Sequence, residues 1–510
     1  MPEAGVFAQT TTAGGFLLVL AIVLPFVGVL LSLALGGRHA ERIALILMPA
    51  GLGVAVAIAL GVWRAGDALL YLLGGWKPPL GVALRADGLS AVMLVTTAIV
   101  IGAAGLFGRA EFHQPREAPE ARAPLMFWTL LLAVWGALNA VFLGSDLFNL
   151  YVALELLTFA AVPIVCMSGR AETLAAALRY LLFALVGSGF YLLGAALFYG
   201  AYGTLDISLL SGRIQPQSVT WLAAALMTAG LLAKTALFPL HLWLPPAHAG
   251  APAAASAVLS ALVVKGAFFL IVRLWFDVMP GLLPQQAAQL LGALGAAAIL
   301  FGSVLALRQS RLKLLIAYST VAQIGYLFFL FPLAIGPDAA VAASGAAWTG
   351  GWMQLVSHAF AKAAMFLAAG LIAEAAGHDR IAELGGIGRA LPITVIAFAL
   401  GGLSLMGVPP SGGFVAKWLL LTAAIEAGQW WWAVVMLAGG LLAGSYVFRV
   451  LGQFWGDTNG TRARLEKISI RRQAIALALA LGAVSLGFVS LEPATLLQIG
   501  RTHAVEVVLR

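Results

Sequence analysis

Residues Phe16–Leu35 read FLLVLAIVLPFVGVLLSLAL, twenty positions without one charged side chain. A helix rises 1.5 Å per residue, so this run reaches about 30 Å, the thickness of a bilayer's hydrocarbon core. No basic cluster precedes it, and it is expected to be a first spanning helix rather than a cleaved signal. Runs of the same kind tile nearly the whole chain of 510 residues, of which 62% are hydrophobic and 10% charged. Soluble domains carry roughly 25% charged residues. No polar stretch is long enough for a second, soluble domain. The fold class is therefore an all-α polytopic membrane protein.

The same inventory excludes several functions. The net charge of +8, from 29 basic and 21 acidic residues, is scattered through short loops and makes no stripe for nucleic acid. The single cysteine, Cys166, permits neither an internal disulfide nor thiolate iron–sulfur ligation. The seven histidines form no HExxH, and the GxG at Gly386 and Gly388 lacks a following glycine. Neither a metal site nor a cofactor is expected.

About fourteen spans are expected, at roughly 14–36, 41–63, 88–108, 123–143, 147–168, 172–199, 219–240, 252–275, 286–307, 313–333, 342–372, 391–426, 430–451 and 472–490. The eleventh and twelfth are long for simple spans, which suggests tilt, a kink or a break. One side of the membrane collects about sixteen basic loop residues, among them Arg38, Arg109, Arg116, Arg170, Arg308, Arg389 and Arg462. The other collects about seven, including Arg64, Arg273 and Arg510. By the positive-inside rule the first side is cytoplasmic. Both termini then face the outer, periplasmic side of a bacterial-type inner membrane. The cytoplasmic loop from His241 to Pro252 lacks basic residues and is expected to fold back into the protein.

Four of the seven lysines, Lys234, Lys265, Lys362 and Lys417, fall inside expected spans. Each costs roughly 2.5–3.5 kcal/mol at a helix centre, so the four must face one another, water or a counter-ion. Snorkelling to the interface serves lysines near helix ends. Glu155 in the fifth span is the one carboxylate at matching depth, either a static counter-ion or a charge that tunes a lysine. Asp146 lies two to three turns earlier, nearer the outer rim. His358 and Lys362 are four residues apart and share one helical face, a pairing suited to a proton relay or to a hydrogen-bonded core histidine.

Two spans are expected to be discontinuous. Pro239, Pro245 and Pro246 follow Lys234, and Pro409–Pro410–Ser411–Gly412–Gly413 precede Lys417. Proline removes a backbone donor, and irregular backbone at membrane depth survives only where protein or a water-filled cavity satisfies it. Breaks in corresponding spans of two halves point to an ion site between inverted repeats. The expected organisation is 1–120 for spans one to three, 121–280 for a first five-helix unit, 281–455 for an inverted second, and 456–510 for the last span and tail.

Four runs carry a resemblance. They are KTALFPLHLWLP from Lys234, RLKLLIAYSTVAQIGY from Arg311, HAFAKAAMFL from His358 and GVPPSGGFVAK from Gly407 to Lys417. Together they resemble the antiporter-like subunits of respiratory complex I, the multisubunit Mrp cation/proton antiporters and the membrane-bound hydrogenases, over roughly residues 120–455. The resemblance implies that Glu155 pairs with Lys234, that Lys265 passes protons toward the middle, and that His358 and Lys362 join two half-channels. It implies that Lys417 exchanges protons with the outer side. His248, in the folded-back loop, is expected to join Lys234 to Lys265, and His241 is a further candidate. With a lysine at position 417 and no long lateral helix expected, the likeness is greatest to the D-type Mrp subunit. It implies a proton-translocating subunit of a monovalent-cation (Na⁺)/H⁺ antiporter, with other membrane subunits as partners. The alternative is a pumping subunit of complex I, a hydrogenase or an inorganic-carbon uptake complex. A transporter needs no catalytic chemistry of its own, and one deep carboxylate makes a poor cage for a hard cation.

Overall fold

The computed structural model describes residues 10–113, 121–335, 341–456, 466–488 and 492–500. Arg116, Arg462 and Arg510, and the two termini assigned above to the outer side, lie outside these residues. Among the described residues, twelve helices are long and apolar enough to cross a bilayer. The first three are Phe16–Leu35, Gly37–Ala65 and Gly88–Gly108, and the next five are Arg122–Leu143, Leu147–Val165, Ala171–Tyr202, Ser218–Thr235 and Ala253–Val278. The ninth, tenth and eleventh are Gln285–Arg308, Leu312–Ala334 and Val341–Ala376, and Trp430–Trp455 is the thirteenth. The expected twelfth span is two 15-residue helices, Pro392–Met406 and Gly412–Glu426, and the fourteenth is the 16-residue Ile470–Ser485. Of the two long spans, the twelfth is broken and the eleventh runs on as one helix.

Helices dominate because lipid offers the backbone no partner, so each segment must satisfy its own N–H and C=O groups. Span ends are capped by carboxylates: Asp87 accepts the Ser90 N–H at 2.9 Å, and Asp146 accepts those of Phe148 and Asn149 at 3.0 Å. One departure from all-helix is a hairpin of β1 (Leu69–Leu72) and β2 (Ala83–Ala86), antiparallel with Leu69 opposite Ala86. It fills the link between the second and third spans.

The eighth, tenth and eleventh helices run through the middle of the bundle and are buried almost throughout, whereas the first two expose most of their surface. Close approach relies on small residues. A Cβ on Gly230 of the seventh span would lie 2.2 Å from the Gly187 carbonyl oxygen of the sixth. The eighth helix carries two wide π-helical turns, Leu259–Val263 and Arg273–Val278.

The second of these corrects the sequence reading of Arg273 as a loop cation. Its guanidinium is buried, donating to Asp87 at 2.5 and 2.8 Å and to Asp277 at 2.6 Å. Burial pushes the Asp87 carboxyl up, but Arg273 beside it more than offsets this and holds it at about 2. Asp277 lies one residue from the end of the eighth helix, which ends at Val278.

Candidate functional site

The structure strings the buried ionisable groups across the bundle. At one end, Lys234 occupies the last turn of the seventh helix, which stops at Thr235. The chain continues through Ala236, in the left-handed region at φ 57°, and a short helix Leu244–Ala249 packed inside the protein. The expected break is therefore at Lys234 itself, not after a continuous span to residue 240. Its ammonium donates to Glu155 at 3.2 Å and to Thr158 at 2.9 Å, and the Ser188 hydroxyl donates to the same Glu155 oxygen. At the helix end the Ala233 carbonyl accepts both the Ala236 N–H at 3.2 Å and the Trp243 indole N–H at 2.9 Å. A cavity of about 10 Å³ between Thr158, Tyr180, Lys234, Val263 and Ala267 is about the size of one water and opens toward the eighth helix.

Lys265 is fully enclosed, and its ammonium donates to the Ser260 carbonyl oxygen within the first π turn. The Ser260 hydroxyl meets that of Thr320 on the tenth helix at 2.9 Å. Lys362 on the eleventh helix donates to the Ile316 carbonyl at 3.0 Å and to the Ser319 hydroxyl. Among the described residues, no carboxylate pairs with Lys265, Lys362 or Lys417. Carbonyls and hydroxyls, and for Lys417 also a ring, are the partners of these three side chains.

The eleventh helix repeats a four-residue step along this axis. Glu374 and Gly370 border a cavity of about 360 Å³ that also exposes Glu111, Arg170, Lys313 and Arg472. One turn on, Phe366 stacks on His248 with centroids 4.5 Å apart. Lys362, His358 and Gln354 follow at successive turns. His248 and His358 are buried with both ring nitrogens unpartnered among the described residues, which leaves each ring able to accept and hand on a proton.

At the far end, the break in the twelfth span builds the Lys417 site. The helix Pro392–Met406 turns out at Gly407, so the Leu405 carbonyl is left over; it accepts the Lys417 ammonium and the Gln323 amide, the latter at 3.1 Å. Gln354 donates to Gln323 at 2.9 Å, which ties this end to the eleventh helix. Lys417 also lies over the Tyr326 ring, 4.3 Å from its centroid. Gly413 permits the return of the chain, since a Cβ there would fall 1.9 Å from the Ser404 oxygen.

The contacts thus form three groups, Glu155–Lys234 with Thr158 and Ser188, Lys265 and Lys362 on either side of the Ser260–Thr320 pair, and Lys417 with Gln323 and Gln354, with His248 and His358 buried on neighbouring turns. They leave out Asp146, an N-cap on the rim, and His241, which packs between the rings of Phe238 and Phe301. Sequence reasoning missed Thr158, Ser188, Ser260, Ser319, Thr320 and Gln323. Hydroxyl and amide residues in apolar spans are common, and no spacing rule singles out those that face a lysine.

Residues 144–443 match the family described as NADH:quinone oxidoreductase/Mrp antiporter, TM. The chain is similar to the N subunit of the NADH-quinone oxidoreductase of Desulforudis audaxviator, at 34% identity over 85% of each chain. It is also similar to the D subunit of the Na⁺/H⁺ antiporter of Bacillus subtilis, at 30% identity over 76% of each. Among solved structures, it superposes on a chain of the Mrp complex of Dietzia sp. with a TM-score of 0.85 and 25% identity, over 97% of both chains. A chain of an archaeal membrane-bound sulfane sulfur reductase matches with a TM-score of 0.84 and 25% identity, over 96% of this chain and 97% of that one.

Proposed function

This chain belongs to the NADH:quinone oxidoreductase/Mrp antiporter family of membrane proteins, and we propose that it carries protons across the bilayer as one membrane component of a multisubunit Na⁺/H⁺ antiporter. The observation that carries this reading is the set of three buried lysines without a carboxylate partner among the described residues, lined by hydroxyls, carbonyls and two unpartnered histidines, beside the buried Lys234–Glu155 pair. An isolated ammonium at that depth costs at least about 2.5–3.5 kcal/mol, so each site gains by passing its proton on once a neighbour can take it.

Protons enter at the cavity bordered by Glu111, Lys313 and Glu374, and at Lys234. Lys234 is held charged by Glu155. Unit charges about 4 Å apart interact by about 4 kcal/mol at an effective dielectric near 20, enough to retain or release the proton as Glu155 is neutralised or moved. From Lys234 the proton passes by His248 to Lys265, and from there by Lys362 and His358 to Lys417, which opens outward at the Pro409–Pro410 break. The two broken helices end the fourth element of each expected five-helix unit, which supports an inverted repeat about the axis. Both termini lie on the outer side of a bacterial-type inner membrane, and the partners are other membrane subunits.

The test is transport in vesicles holding the whole assembly. Lys417→Ala and Glu155→Ala each lower the rate by at least about tenfold, as expected for loss of a positioned proton-transfer group, with the assembly intact on gel filtration. Full antiport by both variants would overturn the reading. A second reading, in which redox partners drive the chain as a proton pump, is favoured by the 34% identity to a component of a quinone oxidoreductase. It uses the same lysines.

A further inference from the structure

Lys265 and Lys362 sit on different helices, and no direct contact joins them among the described residues. What lies between is a pair of hydroxyls. We infer that Ser260 and Thr320 form a switchable hydroxyl bridge that carries the proton from Lys265 on the eighth helix to Lys362 on the eleventh, by way of the tenth. The inference rests on the proton-carrying reading above.

Each end of the bridge shares a residue with one lysine. Lys265 donates to the carbonyl of Ser260, the residue whose hydroxyl begins the bridge. At the other end, Thr320 Oγ1 and Lys362 Nζ each lie 3.0 Å from the same Ile316 carbonyl oxygen. The first π turn produces this arrangement. Its change from i→i+4 to i→i+5 bonding leaves a carbonyl over, and Ser260 lies within the turn that precedes Lys265. Both hydroxyl residues are completely buried. With Thr320 donating to Ile316, the hydroxyl hydrogens already point from Ser260 toward Lys362.

Transfer balances as follows. The ammonium of Lys265 swings from the Ser260 carbonyl to the hydroxyl of the same residue and gives a proton to Ser260 Oγ as the Ser260 hydrogen moves to Thr320 Oγ1. The Thr320 hydrogen turns from the Ile316 carbonyl to the neutral amine of Lys362. Lys265 ends as an amine, Lys362 as an ammonium, and each hydroxyl keeps one hydrogen with its direction reversed. Rotation of both hydroxyls restores the starting state. A carbonyl cannot do this, since it accepts but has no proton to hand on. Ser260 and Thr320 are therefore the groups that set whether the two halves communicate.

The experiment measures proton transport in vesicles containing the assembled complex. Thr320→Val keeps the shape and removes the hydroxyl; it lowers the rate by about a hundredfold or more, the low edge of what a positioned proton-transfer group contributes. Thr320→Ser restores the hydroxyl and retains the rate within about twofold, which a packing role for the threonine methyl would not produce. Ser260→Ala is the second variant, should Thr320→Val fail to assemble, and is expected to show the same loss. Wild-type rates in Thr320→Val or Ser260→Ala, with Lys417→Ala inactive, overturn the bridge and leave proton transport standing. Wild-type rates in all three overturn the proton-carrying reading as well.

Discussion

At the scale of single residues, the buried charges divide into two kinds. Arg273, Asp87 and Asp277 satisfy one another with short, charge-assisted bonds and tie the start of the third span to the end of the eighth. Asp87, held at about 2 against an ordinary 3.8, contributes about 2 kcal/mol to stability above pH 4. Its folded value is depressed, so the contribution is lost as pH falls through about 2. Thermal unfolding of wild type and Asp87→Asn in detergent should therefore differ at pH 5 to 7, and the gap should close between pH 4 and 2. A gap that persists at the lowest pH would contradict the ion pair. Lys265, Lys362 and Lys417 are the other kind, held only by carbonyls, hydroxyls and a ring. Their placement at depth was legible in the sequence because lysine in an apolar run is rare and costly. Their partners were not, because a serine or threonine in a span carries no such signal.

At the scale of elements, the breaks do two jobs. Ending a helix inside the bundle releases carbonyls that would otherwise be bonded, and at Leu405 one such carbonyl receives a lysine. The prolines and glycines announced the break in the twelfth span. The break at Thr235 lies four residues before the nearest proline, so sequence placed Lys234 too deep in its helix. The sixth and seventh helices are held together at Gly187 and Gly230, one turn from the Ser188–Glu155–Lys234 cluster. Gly230→Ala must push the two backbones apart, at a cost of typically 1–3 kcal/mol. It should lower the unfolding temperature and transport together. Gly200→Ala, on the sixth helix with open space around its Cβ position, should change neither. Equal behaviour of the two variants would show that the glycine contact does not position the cluster.

At the scale of the whole molecule, the family and the superposition on multisubunit assemblies leave the choice of partners as the main functional question. Purification in mild detergent, with mass spectrometry of what accompanies the chain, separates the two readings. Small membrane subunits without redox proteins are expected if it serves an Na⁺/H⁺ antiporter. Iron–sulfur subunits in stoichiometric amount would move the assignment to a redox-driven complex, with the lysine axis unchanged.

The sequence by itself determined the class of fold, the rough position of the twelve long apolar helices, the break between Pro392–Met406 and Gly412–Glu426, and which lysines are buried. These follow from hydropathy, from proline and glycine chemistry and from the cost of charge in lipid, all of which act locally along the chain. Only the tertiary structure decided that Arg273 closes an ion cluster, that Lys234 ends its helix, and that Ser260 and Thr320 stand between two lysines. Those contacts join residues 60 to 186 positions apart, and such pairings are set by how helices pack against one another, which no local pattern encodes.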